Sequence, residues 1–146
     1  MNKIVYDEAC RFLDDFQKLP TVISFCDNNV DFEKQFKAAF GSDEARGASN
    51  VIYIWTTEKP IKRVRGESQV LYIGKTTQSL YRRHYGYYSV EANNWNWKRY
   101  KHILKRYGNI HFYYKTFDKD LLKLEKDLIW SYFTHHLEYP PINFRN

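Results

Sequence analysis

The chain has 146 residues, 43% of them hydrophobic and 18% aromatic, with a net charge of +6 and a pI of about 9.2. That length suits one domain with one modest core, and that hydrophobic content excludes an intrinsically disordered chain. The charge is uneven: the residues before Arg46 are net acidic, whereas Lys59 to Lys115 contains only Glu67 and Glu91 as acids, an asymmetry that favours a polyanionic partner.

At the N-terminus Val5, Ala9, Phe12, Leu13 and Phe16 recur at helical spacing, and Pro20 ends the segment. A second helix is expected from Asn28 or Asn29, lined by Phe32, Phe36, Ala39 and Phe40, with Gly41 as its C-terminal cap. Residues 41–50 read as a linker. This divides the chain into an N-terminal helical extension, residues 1–46, and a second unit, residues 47–146. Extra packing or a dimer contact is the expected job of the extension. Cys10 and Cys26 form no ligand motif and sit among apolar residues, so buried free thiols are expected. No signal peptide or long apolar run reads out, which places the chain in a reducing cytoplasm with no membrane partner.

From Val51 the pattern alternates as a strand, with Val51, Tyr53 and Trp55 on one face and Ile52 and Ile54 on the other. A second strand, Val70 to Gly74, sends Leu71 and Ile73 one way and Tyr72 the other, so Tyr53 and Tyr72 share a face. The residues between, 58–69, read as a long hairpin loop whose Lys59, Lys62, Arg63 and Arg65 would touch phosphates. A helix follows from about Ser79, with Leu80, Arg83, His84 and Tyr87 on one face and Arg82 elsewhere. The next helix, from Trp97 to Tyr107, buries Trp97, Tyr100, Leu104 and Tyr107 and coats its other surface with Lys98, Lys101, Lys105 and Arg106, further candidates for nucleic-acid contact. Trp95, Trp97 and Tyr100 could stack on bases, with core packing the expectation for at least two. Ile110 to Phe117 is a third strand. Asp118 would cap the last helix, residues 119–136. The expected class is therefore α+β, a small three-stranded antiparallel sheet flanked by helices.

On that last helix Leu121, Leu128 and Tyr132 centre an apolar stripe, and at about 100° per residue Glu125 falls inside it. A carboxylate on a buried face is costly unless it is paired or holds a metal.

In order and spacing, these residues resemble the GIY-YIG nuclease family. Tyr53 corresponds to the first motif tyrosine and Tyr72-Ile73-Gly74 to the second motif, followed by Lys75 and Thr76. Arg83 follows Leu80 by three, Tyr87 follows Arg83 by four, Glu125 precedes Leu128-Ile129, and Asn143 follows Pro140-Pro141. Val51 departs from the family pattern, which has glycine there, and His84 adds a polar group beside Arg83.

The resemblance implies a one-metal hydrolysis of DNA, with Glu125 holding Mg²⁺ or Mn²⁺. Arg83 would grip non-bridging phosphate oxygens, and Tyr53 would take the proton of the attacking water. Lys75 and Arg83 would favour its phenolate. Tyr72 would support it, His84 would assist or replace Tyr87, and Asn143 would hold the site together. A restriction- or phage-type enzyme on double-stranded DNA is expected, and a double-strand break would need a homodimer or sequential nicking. The alternative is a catalytically silent nucleic-acid-binding or regulatory module derived from a nuclease.

Overall fold

The computed structural model describes residues 4–87 and 94–143. Its elements in chain order are β1 (Gln17–Lys18), α1 (Asn29–Phe40), α2 (Asp43–Gly47), β2 (Val51–Lys62), β3 (Glu67–Thr76), α3 (Leu80–His84), α4 (Asn94–Tyr107), β4 (His111–Thr116) and α5 (Leu121–His136). The class is α+β. The sheet has four antiparallel strands in the order β1-β4-β2-β3, not three. The extra strand comes from the segment expected to be the first helix. Only Arg11–Asp15 there winds, as a short 3-10 turn, and Gln17 and Lys18 then pair with Tyr114 and Tyr113 of β4.

Alternation along β2 divides the interior into two layers. Val51, Tyr53 and Trp55 join one buried cluster, and Ile52 and Ile54 join another on the opposite face. Both faces are therefore covered. On the tyrosine face lie α1, α3 and α4, with Phe32, Phe36, Phe40, Leu80 and Tyr100 buried. On the other lies α5, with Leu121, Leu124, Leu128 and Tyr132. The N-terminal segment is thus part of the core. Phe36 and Phe40 pack on Trp55, with ring centroids 6.2 and 5.9 Å apart, and each such buried ring contributes roughly 1.5–3 kcal/mol.

Asn28 caps α1 by accepting from the Asp31 amide, and Ser79 caps α3 by accepting from the Arg82 amide. At α5 the cap falls on Asp120, in a left-handed conformation (φ 65°) and without a side-chain cap bond, rather than on Asp118.

The expected loop at 58–69 is mostly strand. Ile61 pairs with Ser68 and Lys62 with Glu67, and the turn closes through Arg63 N–H to Gly66 O at 2.9 Å, with Gly66 at φ +72°. Pro60 sits in an irregular stretch of β2 braced by Gln69, whose amide donates to the carbonyls of Thr57 and Glu58. The register slips once more, because Tyr72 faces Trp55 but Val70 faces Thr56. The extra residue is Leu71, and it joins the tyrosine-side cluster instead of following Ile73 to the other face. Cys10 and Cys26 are free thiols, only half-buried. Among the described residues no helix is long and apolar enough to cross a membrane.

Candidate functional site

Tyr53 stands directly across the ladder from Gly74, and its ring lies over that glycine. A Cβ at Gly74 would overlap the ring and hydroxyl of Tyr53, so the sheet position opposite the tyrosine has room only for hydrogen. Tyr72 comes from the same face one step along, its ring edge-on to Tyr53 at 5.6 Å. Tyr53 is 2% exposed, while Tyr72, Arg83 and Glu125 are each half-buried.

Several charges and one neighbouring hydroxyl act on the Tyr53 phenol. Burial holds the Tyr53 pKa well above the ordinary phenol value, and Tyr72 raises it further by its own charge and by a hydrogen bond favouring the protonated form. The Arg83 guanidinium pulls the other way, and the Glu125 carboxylate adds a final upward push. Charges from α3 and α5 therefore bear on one β2 phenol beside its β3 neighbour Tyr72, Glu125 the most weakly, from a helix packed on the opposite sheet face. Arg83 rather than Arg82 is the arginine that acts there, and Arg82 is exposed.

Asn143 is bonded to the backbone of β3. Its side chain docks on the backbone of Ile73, accepting from the amide and donating to the carbonyl, both at 2.8 Å. The adjacent Ile142 amide donates to Leu71 O at 2.9 Å. The C-terminal segment thus clamps the edge strand on either side of Tyr72.

Two expected members have other surroundings. Lys75 pairs with Ile52, so strand alternation turns it to the α5 face, where it lines a hollow of about 380 Å³ with Asp118, Lys119 and Asp120. It is not among the groups that chiefly set the Tyr53 pKa. His84 is enclosed by Phe40, Tyr53 and Trp55, with ring centroids 4.7, 4.7 and 5.4 Å away. Burial and then Arg83 depress its pKa well below the usual imidazole value, and its buried Nε2 has no hydrogen-bond partner. It is a neutral ring behind Tyr53, not a group offered to a substrate. The side chain of Tyr87 lies outside the described residues, as does that of Trp95.

The candidate nucleic-acid contacts separate into groups. Lys59, Lys62, Lys98, Lys105 and Arg106 are exposed, and Lys101 is half-exposed. Arg63 is bound to Glu138 at 2.7 Å and to Tyr139 O at 2.9 Å, so its guanidinium braces the hairpin. Arg65 ends α5: its backbone amide donates to His136 O, its Nε to His135 O, and its Nη2 to Thr134 O. Three carbonyls of the last helical turn are satisfied by this one residue. Arg65→Ala should cost about 1–2 kcal/mol in urea or thermal unfolding and leave DNA affinity within twofold. A large affinity loss at unchanged stability would return Arg65 to the phosphates. Trp97 and Tyr100 pack on Phe32, with centroids 5.4 and 5.0 Å away, which makes them core residues rather than base platforms.

Arg99, His102 and Tyr107 were not among the residues singled out for binding, yet with Lys98 they line one cleft. Helical spacing from 98 and 99 to 102 and 103 carries the signal. Among the described residues no group of three or more His, Cys, Asp or Glu gathers. The Glu125 carboxylate, whose charge bears weakly on Tyr53, is a single oxygen donor of the kind that suits a cation keeping most of its shell as water and phosphate oxygen, as Mg²⁺ does.

No protein-family model, no curated protein and no solved structure matches this chain.

Proposed function

We propose that the chain is a metal-dependent endonuclease of the GIY-YIG type that hydrolyses DNA phosphodiester bonds in the cytoplasm. The observation that supports this reading is the Tyr53–Tyr72 ring pair, 5.6 Å apart, with the charges of Arg83 and Glu125 bearing on the Tyr53 phenol. Phosphoryl transfer asks little covalent chemistry of a protein and much positioning and charge stabilisation, which is what a guanidinium, two phenols and one carboxylate provide.

Arg83 grips non-bridging oxygens of the scissile phosphate as they gain charge. Tyr72, partly exposed, donates its hydroxyl to the phosphate or to the attacking water, and Asn143 keeps its strand in place. Tyr53 forms the floor and takes the proton of the water. Glu125 holds the divalent ion, which when bound supplies Lewis-acid polarisation of the phosphate.

The buried phenol constrains the pH profile. With its pKa raised, Tyr53 is almost wholly protonated at neutral pH, so the phenolate fraction grows tenfold with each pH unit. Cleavage should rise about tenfold per unit between about pH 7 and 9 with no plateau, and Tyr53→Phe should be slower and lose that slope. A flat wild-type profile would remove Tyr53 as the base. The primary test is supercoiled plasmid incubated with Mg²⁺ or Mn²⁺ against an EDTA control. Metal-dependent nicking is expected. Binding with no cleavage under any metal would favour the silent binding module.

A further inference from the structure

A cleft of about 520 Å³ opens between the β2–β3 hairpin, α4 and the C-terminal segment. Its floor is apolar, with Ile61 and Ile103 buried and with Tyr107 and Pro141 half-exposed. Its rim is cationic. Lys98 and Arg99 are exposed there, while Arg63, held by Glu138 and the Tyr139 carbonyl, fixes the hairpin wall. No carboxylate lines the cleft among the described residues. An aromatic and aliphatic floor beneath guanidinium and ammonium groups matches a nucleoside phosphate, with the base on the ring and the phosphate on the cations. The volume falls in the range of small-ligand sites, roughly 300–1,000 Å³.

Position ties the cleft to the phenol cluster. The segment that walls it at Pro141 continues into Ile142 and Asn143, which bond to Leu71 and Ile73 on either side of Tyr72. The cleft and the strand bearing Tyr72 therefore share the C-terminal segment as a common wall. We propose that the cleft takes one nucleotide of the substrate strand flanking the scissile phosphate, its base unstacked against Tyr107 and its phosphate on Lys98 and Arg99. The inference rests on the nuclease reading for its substrate and adds a preference: single-stranded, gapped or easily unstacked DNA over uniform duplex.

Fluorescence anisotropy of a short labelled single strand in EDTA tests binding apart from cleavage. The unaltered chain should bind it, and Tyr107→Leu should weaken binding about tenfold while Tyr107→Phe retains it. An abasic strand of the same length should bind the unaltered chain and the leucine variant alike. Lys98→Ala with Arg99→Ala should flatten the log–log salt slope by about one to two, and Lys123→Ala should not. Equal weakening of normal and abasic strands by Tyr107→Leu, or no weakening of either, would overturn the proposal. So would deoxyadenosine monophosphate binding as tightly as the strand, because the site would then serve free nucleotides. Base-dependent binding without plasmid nicking sinks the nuclease and keeps the cleft, whereas nicking with a base-blind Tyr107→Leu does the reverse.

Discussion

Glu125→Gln and Arg83→Ala should each leave supercoiled plasmid closed under conditions in which the unaltered chain nicks it. The glutamine keeps the shape of the glutamate and removes its charge, so the change tests the ionised carboxylate alone. Loss of Arg83 removes the cation that acts on the buried phenol and, in the proposed reaction, the fork that meets charge developing on the phosphate. Losing one preorganised donor of this kind lowers turnover by about 10²–10³-fold. Affinity measured in EDTA should change far less, because non-specific binding sums over many phosphate contacts. Arg82→Ala is the informative companion. Arg82 is exposed on the same short helix, so its removal should leave cleavage near the unaltered rate. If Arg82→Ala is the damaging change, or if nicking survives both Glu125→Gln and Arg83→Ala, the assignment of the site is wrong.

Gly74→Ala should be the most disruptive single-methyl change in the sheet. The added Cβ would enter the space of the Tyr53 ring, which is pinned by Tyr72 on one side and His84 on the other. A ring with close neighbours on both sides relaxes little, so overpacking of about 1–3 kcal/mol is expected, with loss of the cluster's geometry. A double-mutant cycle isolates the cause. In a Tyr53→Ala background the same change should cost under about 0.5 kcal/mol, because the obstructing ring is gone, giving a coupling of roughly 1–3 kcal/mol. Equal destabilisation by Gly74→Ala in both backgrounds, read from chemical unfolding, would show that the ring does not occupy that space.

Much of this arrangement was legible from local pattern. Alternation along Val51–Trp55 separates the two faces of β2, and both tyrosines do share one of them. Helical periodicity set Glu125 among Leu121, Leu128 and Tyr132, all of which are buried. The spacing from Leu80 singled out Arg83, whose charge bears on the Tyr53 phenol, while Arg82 is exposed. Strand alternation also sets Lys75 opposite to Tyr72 and Gly74, so its turn to the α5 face could be read without coordinates.

Other features depend on distant partners and have no local signature. A two-residue strand exists because β4 has an edge for Gln17 and Lys18, and a segment with helical spacing yields to that pairing. The slip at Leu71 is a property of two strands together. Above all, period and propensity report which face a side chain takes but not what covers that face. Tyr53 was legible as a tyrosine on the site side, but its near-complete burial comes with the tyrosine-side cluster and with His84, brought over the sheet by α3. That covering, remote in sequence, turns an expected phenolate into a phenol that holds its proton, because desolvation outweighs the one guanidinium acting against it.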